Sequence, residues 1–195
     1  MQDLMRRLRW RGFKWRAIAL LALGRRDAAL QVFQDMLAEF PGDAYPLASI
    51  AHLQGQGGAT DAALATMARL LKLHPGDGAH WFNQGFLLEA AGRYGEAETA
   101  FRRAVELRPA LDRAWYGLGL CLIRLGRLDE AVDALKRNTQ LQPMSPYGWY
   151  QLARVHADRH EAEEARRIIR HLQRFEPKVA AQLVRETGLL VSSAS

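Results

Sequence analysis

Residues 115–143 read WYGLGLCLIRLGRLDEAVDALKRNTQLQP, and the two glycines near the start pose the question that decides the fold. Gly117-x-Gly119 has the spacing that opens a phosphate-cradling loop, and Cys121 beyond it is a candidate nucleophile or ligand. Such a loop needs a strand before it, a helix starting within it, and a Gly or Ala three residues after the second Gly. Position 122 is Leu, and the stretch runs on to Gly126 as one apolar-periodic segment. The letters therefore read as the inside of a helix, with Gly126 as its end and Pro143 as the end of the next.

Working outward, the same punctuation recurs along the chain. Pro41, Pro75, Pro109, Pro143 and Pro177 are each 34 residues apart, as are Gly24, Gly58, Gly92 and Gly126, with His160 in the fifth place. Trp81, Trp115 and Trp149 form a third column, with Phe13 and Leu47 in the earlier slots, and Ala29, Ala63, Ala97, Ala131 and Ala165 a fourth. A period of this length is a supersecondary unit repeated in tandem. Each unit reads as two helices: Gly closes the first, where a left-handed residue is cheapest for Gly. Asp27, Asp61 and Asp129 open the second as caps or first-turn acids, and Pro stops it. One helical hairpin cannot bury its own apolar face, so neighbours must stack into a shared core.

This register resembles the tetratricopeptide repeat family. Trp115, Leu118, Gly119, Leu122, Gly126, Ala131, Leu135 and Pro143 stand in the family's signature order, and repeat three follows with Trp81, Gly85, Leu88, Ala97, Phe101, Ala104 and Pro109. The resemblance implies an all-α fold, a right-handed α-α superhelix with a C-terminal capping helix. The expected organisation is a basic extension (1–9), five repeats (10–43, 44–77, 78–111, 112–145, 146–179), a capping helix (180–188) and a tail (189–195), of which Ser192 to Ser195 is expected to fray. Departures from the pattern are Arg16 at an apolar slot, Asn138 at an Ala slot, His156 at a Tyr or Leu slot and His160 at the Gly slot. End repeats are commonly atypical because one side has no neighbour.

Charge is distributed unevenly. Residues 1–26 hold eight basic side chains against Asp3 alone, a net of +7, while the remainder holds 19 basic and 20 acidic groups. The longest apolar run, Ala17 to Leu23, is far shorter than the roughly 20 residues of a membrane span. Gly24-Arg25-Arg26 after it has no small-x-small pattern, which speaks against a cleaved signal. One cysteine excludes an internal disulfide and suits a reducing compartment. The expected location is cytoplasmic, with a peripheral place at the inner membrane as the alternative.

A wheel of about 100° per residue divides the first helix of each repeat into two arcs. Trp115, Leu118, Gly119, Cys121 and Leu122 face the core. The opposite arc, which should be polar in a solvated helix, holds Arg113, Tyr116, Gly117, Leu120, Ile123 and Arg124. Phe82, Asn83 and Phe86 occupy it in repeat three, and Tyr147, Tyr150 and Arg154 in repeat five. Exposed aromatic and apolar side chains with flanking Arg are the composition of a binding surface. In the family resembled, this arc lines the concave groove, which implies a protein partner: an extended peptide or amphipathic helix with apolar anchors and acidic groups. The family also contains receptors that clamp a terminal carboxylate with five polar residues. Only Asn83 and Arg113 stand at clamp slots, with Phe82 and Phe86 in place of polar partners. Gly117 shares its column with Trp15, Ser49, Asn83 and Gln151, so repeat packing does not call for Gly; the expectation is a notch beside Tyr116, with Gly117→Leu slightly stabilising.

No catalytic constellation can be assembled from spacing, and no cofactor is implied; the expectation is a non-catalytic scaffold or adaptor. Cys121 lies in an apolar column with Ala19, Leu53, Leu87 and Val155 and reads as a buried, inert thiol. His156 and His160 are one turn apart with Glu161 to Glu164 nearby, yet HADRHEAEE lacks the H-E-x-x-H arrangement, and no metal site is expected. Resemblance to bacterial members implies assembly of a larger machine at the cell envelope. The alternative function is a membrane-surface or nucleic-acid binder acting through the basic end. Leu4, Leu8 and Trp15 form one stripe there, with Arg6, Arg7, Arg9, Arg11 and Lys14 supplying charge. Against nucleic acid stands the scatter of Arg on the aromatic arc, too sparse to track a backbone.

Overall fold

The computed structural model describes residues 1–190. Among them are eleven helices and no strand: α1 (Gln2–Ala22), α2 (Arg26–Glu39), α3 (Ala44–Gln56), α4 (Thr60–Leu73), α5 (Gly78–Ala90), α6 (Tyr94–Leu107), α7 (Asp112–Arg124), α8 (Leu128–Leu141), α9 (Pro146–Asp158), α10 (Ala162–Gln173) and α11 (Pro177–Thr187). The 34-residue period is thus five helical pairs and one closing helix. α1 runs without a break from Gln2 through the basic extension into the first repeat. The closing helix starts at Pro177, three residues before the sequence suggests: Pro177 sits in its first turn, where a missing N–H costs nothing. The expected fraying of Ser192 to Ser195 lies outside the described residues.

The punctuation works as the repeat implies. Gly24, Gly58, Gly92 and Gly126 have φ of 71°, 81°, 73° and 73°, the left-handed region that ends the first helix of a pair. His160 holds the same place at φ 61°, the one non-Gly residue at positive φ among those described. A Cβ in this region costs about 1–2 kcal/mol. His160→Gly is therefore expected to stabilise the chain by about 1 kcal/mol, seen as a higher urea midpoint at unchanged slope; an unchanged or lower midpoint would mean that the exposed imidazole repays its strain. Asp27, Asp61 and Asp129 are first-turn acids, not caps: the residues before these helices are Arg25, Ala59 and Arg127, without side-chain caps. Side-chain capping is found at α3 and α5, where Asp43 accepts from Tyr45 N at 2.8 Å and Asp77 from Ala79 N at 2.9 Å.

The chain divides into two compact units, residues 1–87 and the residues from 88 onward. The first has a core of Ala17, Val32, Phe33, Met36, Phe40 and Ile50, with Trp10, Phe13 and Leu20 against it. Leu47, Ala51, Met67 and Leu70 form a second cluster. In the second unit Leu135, Leu152, Ile169, Leu172 and Leu183 are at most 3% exposed, and α11 closes the core by packing on α9 and α10.

Two devices tie successive elements. The Trp column is half-buried, not core: its apolar body packs while Nε1 donates to the carbonyl of the Pro six residues earlier. These bonds are Trp81 to Pro75 (2.8 Å), Trp115 to Pro109 (2.9 Å) and Trp149 to Pro143 (2.9 Å). A polar indole edge thus satisfies a carbonyl left over where proline interrupts the helix. In the second unit Glu98 and Arg102 of α6 and Arg127 and Glu130 at the start of α8 form a closed ring, each Arg within 2.6–2.8 Å of both carboxylates. Arg127 first, then Arg102, hold the Glu130 carboxyl below its usual range.

Candidate functional site

In the second unit the outward arcs of α7 and α9, with the end of α5, enclose a hollow of about 280 Å³. Its apolar surface comes from Leu120, Ile123 and Val155; Arg124, Arg154, Glu89, Asp158 and Gln151 supply polar groups. Both helices place these residues by the same register. α7 commits Leu118, Gly119, Cys121 and Leu122 to the interior, and α9 commits Leu152 and Ala153, with Val155 buried at the base of the hollow. Positions on the opposite arc are left facing out.

Aromatic groups border this surface. Tyr116 is half-buried; burial above all pushes its phenol up, and the nearby carboxylate of Glu89 adds to that while a hydrogen bond with Gln151 opposes it. Tyr150 Oη donates to Glu186 Oε2 at 2.6 Å, and its ring lies 5.9 Å from the Arg154 guanidinium. Arg124 sits 6.0 Å from the Tyr94 ring. Glu89 is raised by burial and lowered by Arg124. The hollow therefore presents charges of both signs beside Leu120 and Ile123, a more mixed surface than one built of Arg alone.

Of the residues singled out by sequence, Leu120, Ile123, Arg124 and Arg154 meet in the hollow. Tyr147 is 70% exposed, and Arg113 is exposed on the first turn of α7. Phe82, Asn83 and Phe86 belong to the first unit, on α5. Phe86 is 58% exposed, Asn83 exposed and Phe82 half-buried.

Gly117 is a correction. It is buried, and a Cβ there would lie 2.6–2.9 Å from ring atoms of Phe101, itself 1% exposed. A side chain here would press on Phe101, whose ring α6 brings onto the α7 backbone, so Gly117 leaves no notch for a ligand. Gly119, whose column is otherwise Ala17, Ala51, Gly85 and Ala153, is small because Leu135 would lie 2.8 Å from an added Cβ.

Glu89, Gln151 and Asp158 were missed, although the register could have found them. Glu89 shares its column with Ile123, Asp158 with Arg124, and Gln151 with Gly117. The apolar, aromatic and basic members of the arc drew the reading, and its acids, Glu89 and Asp158, were passed over.

The remaining chemical candidates resolve into packing. Cys121 is 0% exposed, and burial pushes its thiol up to about 12. His156 is 5% exposed and its Nδ1 pairs with Glu161 Oε2; this contact lowers the Glu161 carboxyl more than Arg159 does. His160 is exposed at the left-handed position. No group of three or more His, Cys, Asp or Glu side chains among the described residues could hold a metal ion.

Comparison with known proteins gives a consistent picture. A family model described as Tetratricopeptide repeat matches residues 5–44, 49–112 and 87–138, and a second with the same description matches 146–171. No curated protein matches the sequence significantly. Among solved structures, MamA residues 41 to the end from Desulfovibrio magneticus RS-1 is similar with a TM-score of 0.77 at 20% identity, covering 91% of this chain and 96% of that one. A tetratricopeptide repeat protein from Parabacteroides merdae ATCC 43184 gives 0.79 at 18%, covering 92% and 73%. YrrB, described as a TPR protein with an unusual peptide-binding site, gives 0.74 at 20%, covering 87% and 88%. At these identities the likeness concerns the fold.

Proposed function

We propose, from the premise that the chain belongs to the tetratricopeptide repeat family, that it is a protein-interaction scaffold whose second unit takes a peptide or helix of a partner protein. The observation that carries this reading is the hollow between α7 and α9, where Leu120 and Ile123 form an apolar floor beside Arg124 and Arg154. An apolar anchor seated on the floor would lose water on all sides, and charged groups around it would fix its direction. Glu89 and Asp158 make the expected ligand a segment with both signs of charge around its anchor, not a purely acidic one. The tyrosines add rigid contact area at little entropic cost.

The test uses peptides selected on the intact protein from a random display library. Selected sequences should share a large apolar or aromatic residue flanked by charge. Leu120→Asp with Arg154→Glu should weaken their binding by at least about tenfold, with the far-UV circular dichroism unchanged. Selected peptides that bind this variant as tightly as the parent would place the recognition surface elsewhere.

A further inference from the structure

α1 is 21 residues long, whereas the first helices of the other four pairs, α3, α5, α7 and α9, are 13 each. The extra two turns at its N-terminus add about 12 Å of helix, and every residue from 1 to 9 is exposed. α1 also has two apolar faces. Trp10, Phe13, Ala17 and Leu20 pack into the core of the first unit. On the other side Leu4 (61% exposed), Met5 (56%), Leu8 (52%), Trp15 (66%) and Ile18 (36%) form a stripe in water, interrupted by Arg11. Trp15 breaks its own column, which otherwise holds Ser49, Asn83, Gly117 and Gln151. A stripe of this size is costly to leave solvated.

Cations border the stripe on both sides. By helical angle, Arg7 and Lys14 line one edge, Arg9 and Arg16 the other, and Arg11 sits within it. Arg9 is engaged with Glu39 at 3.1 Å, and Lys14 lies over the Trp10 and Tyr45 rings. Among the described residues Arg7, Arg11 and Arg16 make no ion pair. Long basic side chains at the borders of an apolar stripe can reach outward to anionic headgroups while the stripe sinks between acyl chains.

We infer that α1 is a membrane-docking helix that lays its Leu4–Leu8–Trp15–Ile18 stripe on an anionic lipid bilayer, holding the repeats at that surface. The stripe favours a bilayer over a peptide groove, because the hollow of about 490 Å³ at this end, where Asp3, Arg6, Arg7 and Arg11 face Phe40 and Asp43, includes none of Leu4, Met5, Leu8, Trp15 and Ile18. The apolar stripe favours it over nucleic acid, whose phosphates would use the cations and leave Leu4, Leu8 and Trp15 in water. The helix lies in the surface and does not cross it, since no described helix is long and apolar enough to span a membrane.

The experiment is flotation of the full chain with phosphatidylcholine vesicles with and without phosphatidylserine. Binding should be at least about tenfold stronger with phosphatidylserine and should weaken with added salt. Leu8→Ser with Trp15→Ser, both at exposed positions, should reduce it by at least about tenfold without changing any charge. Arg7→Ala with Arg11→Ala should do so through charge alone. The hollow variant, Leu120→Asp with Arg154→Glu, should float as the parent does, which separates this inference from the groove reading. Failure to float, or serine variants that float normally, would overturn it. So would a DNA duplex bound more tightly than the vesicles and equally by the serine variant, or a dimer abolished by the serine pair in a chain that ignores vesicles.

Discussion

Gly117→Leu is expected to destabilise the protein by about 2–3 kcal/mol, lowering its thermal midpoint by about 4–12 °C for a chain of this size. Gly in a helix interior costs about 1 kcal/mol relative to Ala, so propensity alone favours the substitution. Packing outweighs it. The new Cβ would sit inside the van der Waals envelope of three Phe101 ring atoms, at 2.6, 2.8 and 2.9 Å. That ring is buried with Ala97, Ala100 and Ala104 on α6 and has little room to withdraw. Phe101→Ala added to Gly117→Leu should recover part of the loss, because the Leu side chain can then occupy the vacated volume. A midpoint at or above that of the parent for Gly117→Leu alone would show that α6 and α7 do not meet in this way.

Gly148→Ala should destabilise by about 1–2 kcal/mol, and Asn138→Ala should relieve most of that loss. Asn138 is 6% exposed, donates through Nδ2 to the Asp112 carbonyl at 2.9 Å, and points Oδ1 at the α carbon of Gly148. An added Cβ would overlap that oxygen and press on Thr139 Cγ2 at 3.2 Å. Asn138 would have to turn and surrender a buried hydrogen bond. With alanine at position 138 the obstruction is gone, and an alanine at position 148 then matches Ala114 one repeat earlier. Chemical denaturation of the four-member cycle should give a coupling of about 1 kcal/mol or more in favour of the double variant. Additive losses would mean that the two departures from the repeat arose independently.

Both predictions concern positions where the repeat deviates, and they show where a periodic reading stops. The helical pairs and their ends were legible because they depend on local chemistry: proline cannot continue a helix, and glycine is cheapest in the left-handed turn. Even the substitution of His160 for Gly left that turn in place. The outward arc of α7 was legible for the same reason, since 100° per residue sorts side chains before any partner helix is known. Leu120, Ile123, Arg124 and Arg154 were found in this way. The same register contained Glu89 and Asp158, which only the hollow drew attention to.

What the sequence determined by itself is the repeat, the all-α pairing and the Leu4–Leu8–Trp15 stripe of α1, because each follows from periodicity along one chain. Tertiary structure alone decided which side chains from other helices arrive at each position. Gly117 looked free because its column tolerates Trp, Ser, Asn and Gln; Phe101 arrives from α6 and fills the space a side chain would need. Asn138 looked like an isolated departure until Gly148 was seen to leave space for it. Close packing fixes volumes between helices, not along them, so a one-dimensional register can say which way a residue faces but not what it meets there.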